Sequence, residues 1–239
     1  MATNNKYLLI DQYPNLYLLD QNLSIINQYQ WKYNSICDIS WSISLNKFLI
    51  ITSNKVFLLD ENFRSIEQIR SIKGDKWWSC TCSNTSLYLT SNERSSGIYQ
   101  YDLLSSFQLI KQWKSSNLND EEEFIYDITY QHDKLALIVS YSTNRTANLI
   151  LRSSITFDLI WSYQLEINYK WFQTPIRCCS LTNDQWFIIE EYTSHIFHID
   201  QNGQIKSKRE YTSQPCNAIV FGTDLLAIRT ETTINFHKV

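Results

Sequence analysis

Two short texts recur along this chain, and their recurrence limits what it can fold into. ICDISW at Ile36–Trp41 and IYDITY at Ile125–Tyr130 match nearly residue for residue. Looser copies are WWSCTC at Trp77–Cys82, IRCCSL at Ile176–Leu181 and CNAIVF at Cys216–Phe221. Aligned, Ile39, Cys80, Ile128, Cys179 and Ile219 form one column, at spacings of 41, 48, 51 and 40. Trp41, Cys82, Tyr130, Leu181 and Phe221 form a second. The other text repeats independently: apolar runs ending on Asp20, Asp60, Asp102 and Asp200, with a fifth copy in which Arg152 replaces the Asp. Two columns sharing a period near 40–50 mark a tandem array of one structural unit.

The unit is clearest between Ser35 and Ile72. Four apolar-rich runs, Ile36–Trp41, Phe48–Thr52, Val56–Asp60 and Arg64–Ile69, are separated by Ser-Leu-Asn, Ser-Asn-Lys and Glu-Asn-Phe. Four hairpin-linked strands in so short a stretch make an antiparallel sheet. Units fall at about 6–30, 35–72, 76–113, 123–165, 174–211 and 215–239, giving about 22 strands. The first unit lacks an obvious first strand, and the last supplies three strands. With only 4 Gly and 3 Pro, the turns must rely on Asn, Ser and Asp, whose side chains mimic turn hydrogen bonds. The Asp that ends each third strand is placed to accept the N–H groups of the turn it opens.

In these columns the chain resembles the WD-repeat and YVTN-type β-propellers over essentially its full length. The terminal Asp of each third strand lies about where WD repeats carry a Trp-Asp pair, although neither Trp-Asp nor Gly-His occurs. The resemblance implies an all-β, single-domain propeller over 1–239, of six four-stranded blades, with five as the open alternative. It also implies that the first strand of each blade is innermost.

The net charge of −3 and pI near 5.8 give no electrostatic reason to expect nucleic acid or an anionic membrane as partner. No apolar run approaches the ~20 residues of a membrane helix, and MATNNKYLLIDQYP lacks a signal-peptide core, so a cytoplasmic location is expected. Cys37, Cys80, Cys82, Cys178, Cys179 and Cys216 form no C-x-x-C pair and all lie in first-strand text. There they serve as small apolar filler rather than metal ligands. No metal or other cofactor is expected. The sequons at Asn22, Asn84 and Asn144 are read as chance matches in an Asn- and Ser-rich chain.

No catalytic order of Ser, His and Asp, no G-x-S-x-G and no Gly-rich phosphate loop occurs. His132 sits in a turn, and His195 and His198 point to opposite faces of a strand. A non-enzymatic scaffold is therefore expected. The alternative is a metal-dependent propeller hydrolase using Asp38 and Asp127 near the axis. The expected binding residues are Trp31, Trp77, Trp78, Trp171 and Phe172, which lie in or beside the connections entering first strands. Trp is a frequent interface anchor, so a protein or peptide partner is the expectation; packing between blades is the competing fate of the same rings. The longest connections are 115–123 and 167–173.

Overall fold

A computed structural model describes every residue except 5, 70–71, 73–75, 94–95, 115–122, 142–145, 168–175 and 239. Blade 1 comprises β1 (Ala2–Thr3), β2 (Leu8–Gln12), β3 (Asn15–Leu19) and β4 (Ile25–Gln30). Blade 2 comprises β5 (Ile36–Ser42), β6 (Lys47–Thr52), β7 (Val56–Asp60) and β8 (Ile66–Ile69). Blade 3 comprises β9 (Trp77–Cys82), β10 (Ser86–Ser91), β11 (Ile98–Asp102) and β12 (Leu109–Trp113). Blade 4 comprises β13 (Glu123–Gln131), β14 (Lys134–Tyr141), β15 (Thr146–Ser153) and β16 (Leu159–Leu165). Blade 5 comprises β17 (Ile176–Ser180), β18 (Trp186–Glu190), β19 (His195–Ile199) and β20 (Ile205–Glu210), with a 3₁₀ turn at Thr182–Asp184. Blade 6 comprises β21 (Pro215–Phe221), β22 (Leu225–Thr230) and β23 (Ile234–Lys238).

Each sheet is a simple antiparallel meander, and the fold class is a six-bladed β-propeller whose last blade has three strands. The missing first strand of the first unit is the two-residue β1, which pairs Ala2 with Leu9 and Thr3 with Leu8. Two residues are too few to leave a periodic signal in sequence.

The chain divides into two compact units. One holds Met1–Ser91, Ile98–Trp113 and Phe221–Asp224; the other holds Asn92–Gly97, Lys114–Val220 and Leu225–Val239. In the first unit, one apolar cluster joins blades 1 and 2 through Leu9, Leu16, Leu18, Phe48, Ile50 and Phe57, and a second joins blades 2 and 3. In the second unit, Ile138, Leu149, Trp186, Ile188 and Phe197 join blades 4 and 5, while Cys179, Ile189, Ala218 and Ile228 join blades 5 and 6.

Strand composition follows from this sandwiching. Middle strands such as KFLIIT and VFLLD are apolar on both faces because each face meets a neighbouring blade. Fourth strands such as IINQYQ are largely exposed, with only alternate side chains half-buried.

The Asp-opened turns form as read from sequence. Asp60 Oδ1 accepts the N–H groups of Asn62 (2.9 Å) and Arg64 (3.0 Å), and Oδ2 accepts Ser65 N–H (2.7 Å) and Ser65 Oγ–H (2.6 Å). Asp20 and Asp200 each accept two turn N–H groups at 2.9 Å. The third residue after the Asp is left-handed in each: Leu23 (φ 62), Phe63 (φ 57) and Gly203 (φ 82).

Blade 4 corrects the sequence alignment. Lys134 pairs with Ser153, as Lys47 pairs with Asp60, so Ser153 and not Arg152 stands in the Asp position. Its Oγ accepts the N–H groups of Ile155 (3.3 Å) and Thr156 (3.2 Å), the same task done by a shorter side chain.

Candidate functional site

The first strands carry the residues from which chemistry was expected. β5 has a β-bulge at Cys37, β9 at Trp78 and β13 at Tyr126, and the residues just past these bulges are Asp38, Ser79 and Asp127. A bulge re-aims the side chain that follows it. β17 pairs with β18 without a bulge, so Arg177 is the ladder equivalent of Asp127, and Cys178 that of Ile39 and Cys80. The alignment that put Cys179 in this column is therefore one residue out. The clusters agree: Ile39, Cys80 and Cys178 face the preceding blade, whereas Cys179 faces blade 6. Ala218, not Ile219, likewise faces the preceding blade.

This column links neighbouring blades. Ser79 Oγ donates to Asp38 Oδ2 at 2.7 Å, and Cys80 N–H donates to the same oxygen at 3.0 Å. In the second unit, Arg177 Nη1 lies 3.1 Å from Asp127 Oδ1, and Cys178 N–H donates to Asp127 Oδ2 at 2.6 Å. The two sites repeat one design: a carboxylate on one first strand accepts from two successive residues on the next. Thr129 Oγ1 adds a bond to Cys178 O at 2.9 Å, and Asp184 pairs with Lys134 Nζ at 2.6 Å and His132 Nδ1 at 3.0 Å. His132, in its turn and 71% exposed, thus also meets a carboxylate of the next blade.

The carboxylates invoked for a hydrolase therefore hold blades together. Asp38 and Asp127 belong to different compact units, and among the described residues no three His, Cys, Asp or Glu side chains are grouped as metal ligands. Three of the cysteines are held in the neutral thiol form. Burial pushes the Cys82 and Cys179 thiols up to about 12, and burial with the Asp127 charge raises Cys178 well above its ordinary value. A thiol so raised is neither a nucleophile nor a ready ligand at neutral pH. His195 Nδ1 meets Thr193 Oγ1 at 2.8 Å, and His198 Nε2 meets Gln185 Oε1 at 2.7 Å.

The aromatic residues of the connections divide by exposure. In an antiparallel meander, the turn between second and third strands and the exit of the fourth strand lie at the same end of the sheet. At that end of blade 1, Trp31 is 3% exposed, packs edge-on to Phe57 at 5.2 Å and donates its indole N–H to Asn34 O at 2.8 Å. Tyr33 packs at a tilt against Phe57, with ring centroids 4.5 Å apart, and is 40% exposed, and Tyr13, in the β2–β3 turn, is 68% exposed. Trp77 is 3% exposed and lies in the core between blades 2 and 3, edge-on to Tyr99 at 5.1 Å. Trp78 is half-buried. Trp171 and Phe172 lie outside the described residues. Tyr13 and Tyr33 were missed because tyrosine is scattered along the whole chain, and only the sheet topology brings these two to one end.

The second unit presents a charged group at the corresponding end of blades 5 and 6. Buried Glu190 accepts the N–H groups of Tyr192 and Thr193, each at 2.9 Å, and the Thr193 hydroxyl. Burial first, then the Glu190 and Glu231 charges, raises the Glu191 carboxyl; Arg177 and Arg229 oppose that rise. Exposed Tyr192 lies beside it.

No family model and no curated protein matches the chain. Solved structures do. A chain of a mitotic checkpoint complex aligns over 100% of this chain and 86% of its own, with TM-score 0.67 and 9% identity. Hydrazine synthase from Kuenenia stuttgartiensis aligns over 98% and 80%, with TM-score 0.69 and 10% identity. BamB from Moraxella catarrhalis aligns over 98% and 82%, with TM-score 0.56 and 12% identity. At these identities the likeness shows the fold alone. An enzyme and a member of a multiprotein complex share it, so function must be argued from side chains. Among the described residues, no helix is long and apolar enough to cross a membrane.

Proposed function

We propose that the chain is a non-enzymatic β-propeller scaffold, one domain over 1–239, which binds a protein or peptide partner on the blade ends that carry the connections. The observation that carries this reading is that exposed Tyr33 packs on buried Trp31 and on buried Phe57 of blade 2, while exposed Tyr13 lies in the turn at the same end of blade 1. Amphipathic rings fixed on a packed base are the side chains from which interface anchors are made. Trp78, half-buried at its bulge, belongs to the proposed surface, as do Trp171 and Phe172 from the lengthened connection. Trp31 and Trp77 support it from beneath rather than touching the partner.

The reading needs no cofactor, nucleic acid or membrane. It is supported by the use of Asp38 and Asp127 as links between blades, and by a structural neighbour that is part of a mitotic checkpoint complex. A cytoplasmic location goes with it, in keeping with six cysteines that form no disulfide. No observation favours the metal-dependent hydrolase.

The test is partner recovery on immobilised protein, comparing wild type with Tyr13→Ser/Tyr33→Ser and with the same variant carrying Trp78→Ser. Ile43→Ser, at the opposite end of blade 2, is the control. Loss of the partner from folded double and triple variants, with the control unaffected, is expected. Undiminished recovery by both would sink the assignment.

A further inference from the structure

Two connections of the first compact unit are fixed in the same way. Trp31 N–H donates to Pro14 O at 2.8 Å, and Trp77 N–H donates to Ser53 O at 2.8 Å. Each chain leaving a fourth strand is thereby tied to the turn between the second and third strands of the blade it leaves. These bonds gather Tyr13, Lys32, Tyr33, Lys55 and Lys76 at one end of blades 1 and 2. Tyr33 packs against Phe57, whose strand follows the turn that carries Lys55. Lys32 and Lys76 are exposed and Lys55 is half-buried. Among the described residues, neither Lys32 nor Lys55 is paired with a carboxylate. The carboxylates of these two blades are occupied or remote. Asp38 accepts from blade 3, Glu67 lies 3.7 Å from Lys47, and Asp11 is half-buried with a partner of its own. Asp20, Asp60 and Glu61 belong to turns at the opposite end. The described charge beside the two tyrosines is therefore positive, in a chain whose net charge is −3.

We propose that the partner held at this end is an acidic peptide. The proposal rests on the scaffold reading above and adds the partner's chemistry. Apolar side chains of the peptide lie on Tyr13 and Tyr33, and its carboxylates face Lys32 and Lys55, with Lys76 adding to the positive field. Aromatic anchors at the centre with charge at the rim is the ordinary division of a protein interface. Rim cations select an acidic partner over a basic one, by complementarity and by steering its approach. A single nucleic-acid strand asks for a longer basic track than three lysines provide.

Fluorescence anisotropy with the full chain tests the proposal. The probes are a labelled peptide of repeated Glu-Glu-Tyr, its Lys-Lys-Tyr counterpart and a labelled oligouridylate. Wild type should bind Glu-Glu-Tyr, more weakly as salt rises, and should not bind Lys-Lys-Tyr. Lys32→Glu/Lys55→Glu should raise the Glu-Glu-Tyr dissociation constant more than about tenfold and turn the preference toward Lys-Lys-Tyr. Lys6→Glu, in the β1–β2 turn at the opposite end, should change neither, and circular dichroism confirms that each variant is folded. Equal binding of the two peptides, no binding of Glu-Glu-Tyr, or tighter binding of the oligouridylate overturns the proposal. The scaffold reading is separable from it. A partner lost by Tyr13→Ser/Tyr33→Ser but kept by Lys32→Glu/Lys55→Glu overturns the acidic class alone. A partner kept by both variants overturns the two together.

Discussion

The Asp127 carboxylate on β13 accepts the Cys178 backbone N–H of β17 at 2.6 Å, across the boundary between two blades. Arg177, the neighbour of Cys178, completes the link at 3.1 Å with only 13% of its side chain exposed. Removing the carboxylate leaves a buried guanidinium and a buried N–H without this partner. Asp127→Ala should therefore cost about 3–5 kcal/mol in urea unfolding. Asp38→Ala, which abandons the Ser79 hydroxyl and the N–H groups of Cys80 and Ile39, should cost about 1–3 kcal/mol. Equal costs would contradict the distinction between the two sites.

At the Asp-opened turns, Asp60→Ala should destabilise by about 1–2 kcal/mol, through four lost hydrogen bonds partly replaced by water. Asp60→Ser should cost less, since Ser153 fills the same position in blade 4. Burial works to raise the Asp60 carboxyl, but the bonds from Ser65, Arg64 and Asn62 outweigh it and hold the group below its ordinary value. A carboxyl lowered by folding stabilises above the unfolded value, and that contribution drains away as pH falls through the folded one. The difference between wild type and Asp60→Ala should accordingly shrink in acid, below about pH 4. A difference that grows in acid would contradict the turn's electrostatics.

Gly203 and Trp161 are fitted to each other. A Cβ at Gly203 would sit 3.0 Å from the Trp161 ring, and the glycine's φ of +82° disfavours any side chain. Blade 2 fills the matching turn with Phe63, which meets Tyr29 of blade 1 edge-on at 6.4 Å. Gly203→Ala should cost about 1–3 kcal/mol, and part of that cost should vanish in the Trp161→Leu background. Strict additivity of the two substitutions would show that the ring and the glycine do not sense one another.

Glu191 has the opposite sign from Asp60. Its carboxyl is raised, by burial and then by Glu190 and Glu231, so folding disfavours its charged form. Glu191→Gln should raise the melting temperature at pH 7, and the gain should disappear as pH falls and the wild-type carboxyl takes up its proton. A gain that persists unchanged in acid would mean that the charge is not the cause.

Much of the fold was legible because packing and turn chemistry repeat. Every four-stranded blade needs two middle strands apolar on both faces and a turn-opening acceptor, and those demands left VFLLD and IFHID in the text. The errors were errors of one residue. Cys179 was aligned where Cys178 belongs because β17 lacks the bulge residue of β5 and β13, and Arg152 was read for Ser153 because a hydroxyl was not counted as an Asp substitute. The role of Asp38 and Asp127 was not legible, since a carboxylate that joins blades and one that holds a metal look alike in sequence. Nor was the division of the aromatics: Trp31 and Tyr33 are two residues apart, yet one is buried in the core and the other is open to solvent.

A photo-cross-linking residue placed at Tyr33 tests most directly whether a partner is held at the connection end of blade 1. Placed there or at Tyr13, the probe should capture the partner in a single product, and placed at Ile43 it should not. Capture at Ile43 with none at Tyr13 or Tyr33 would contradict the account.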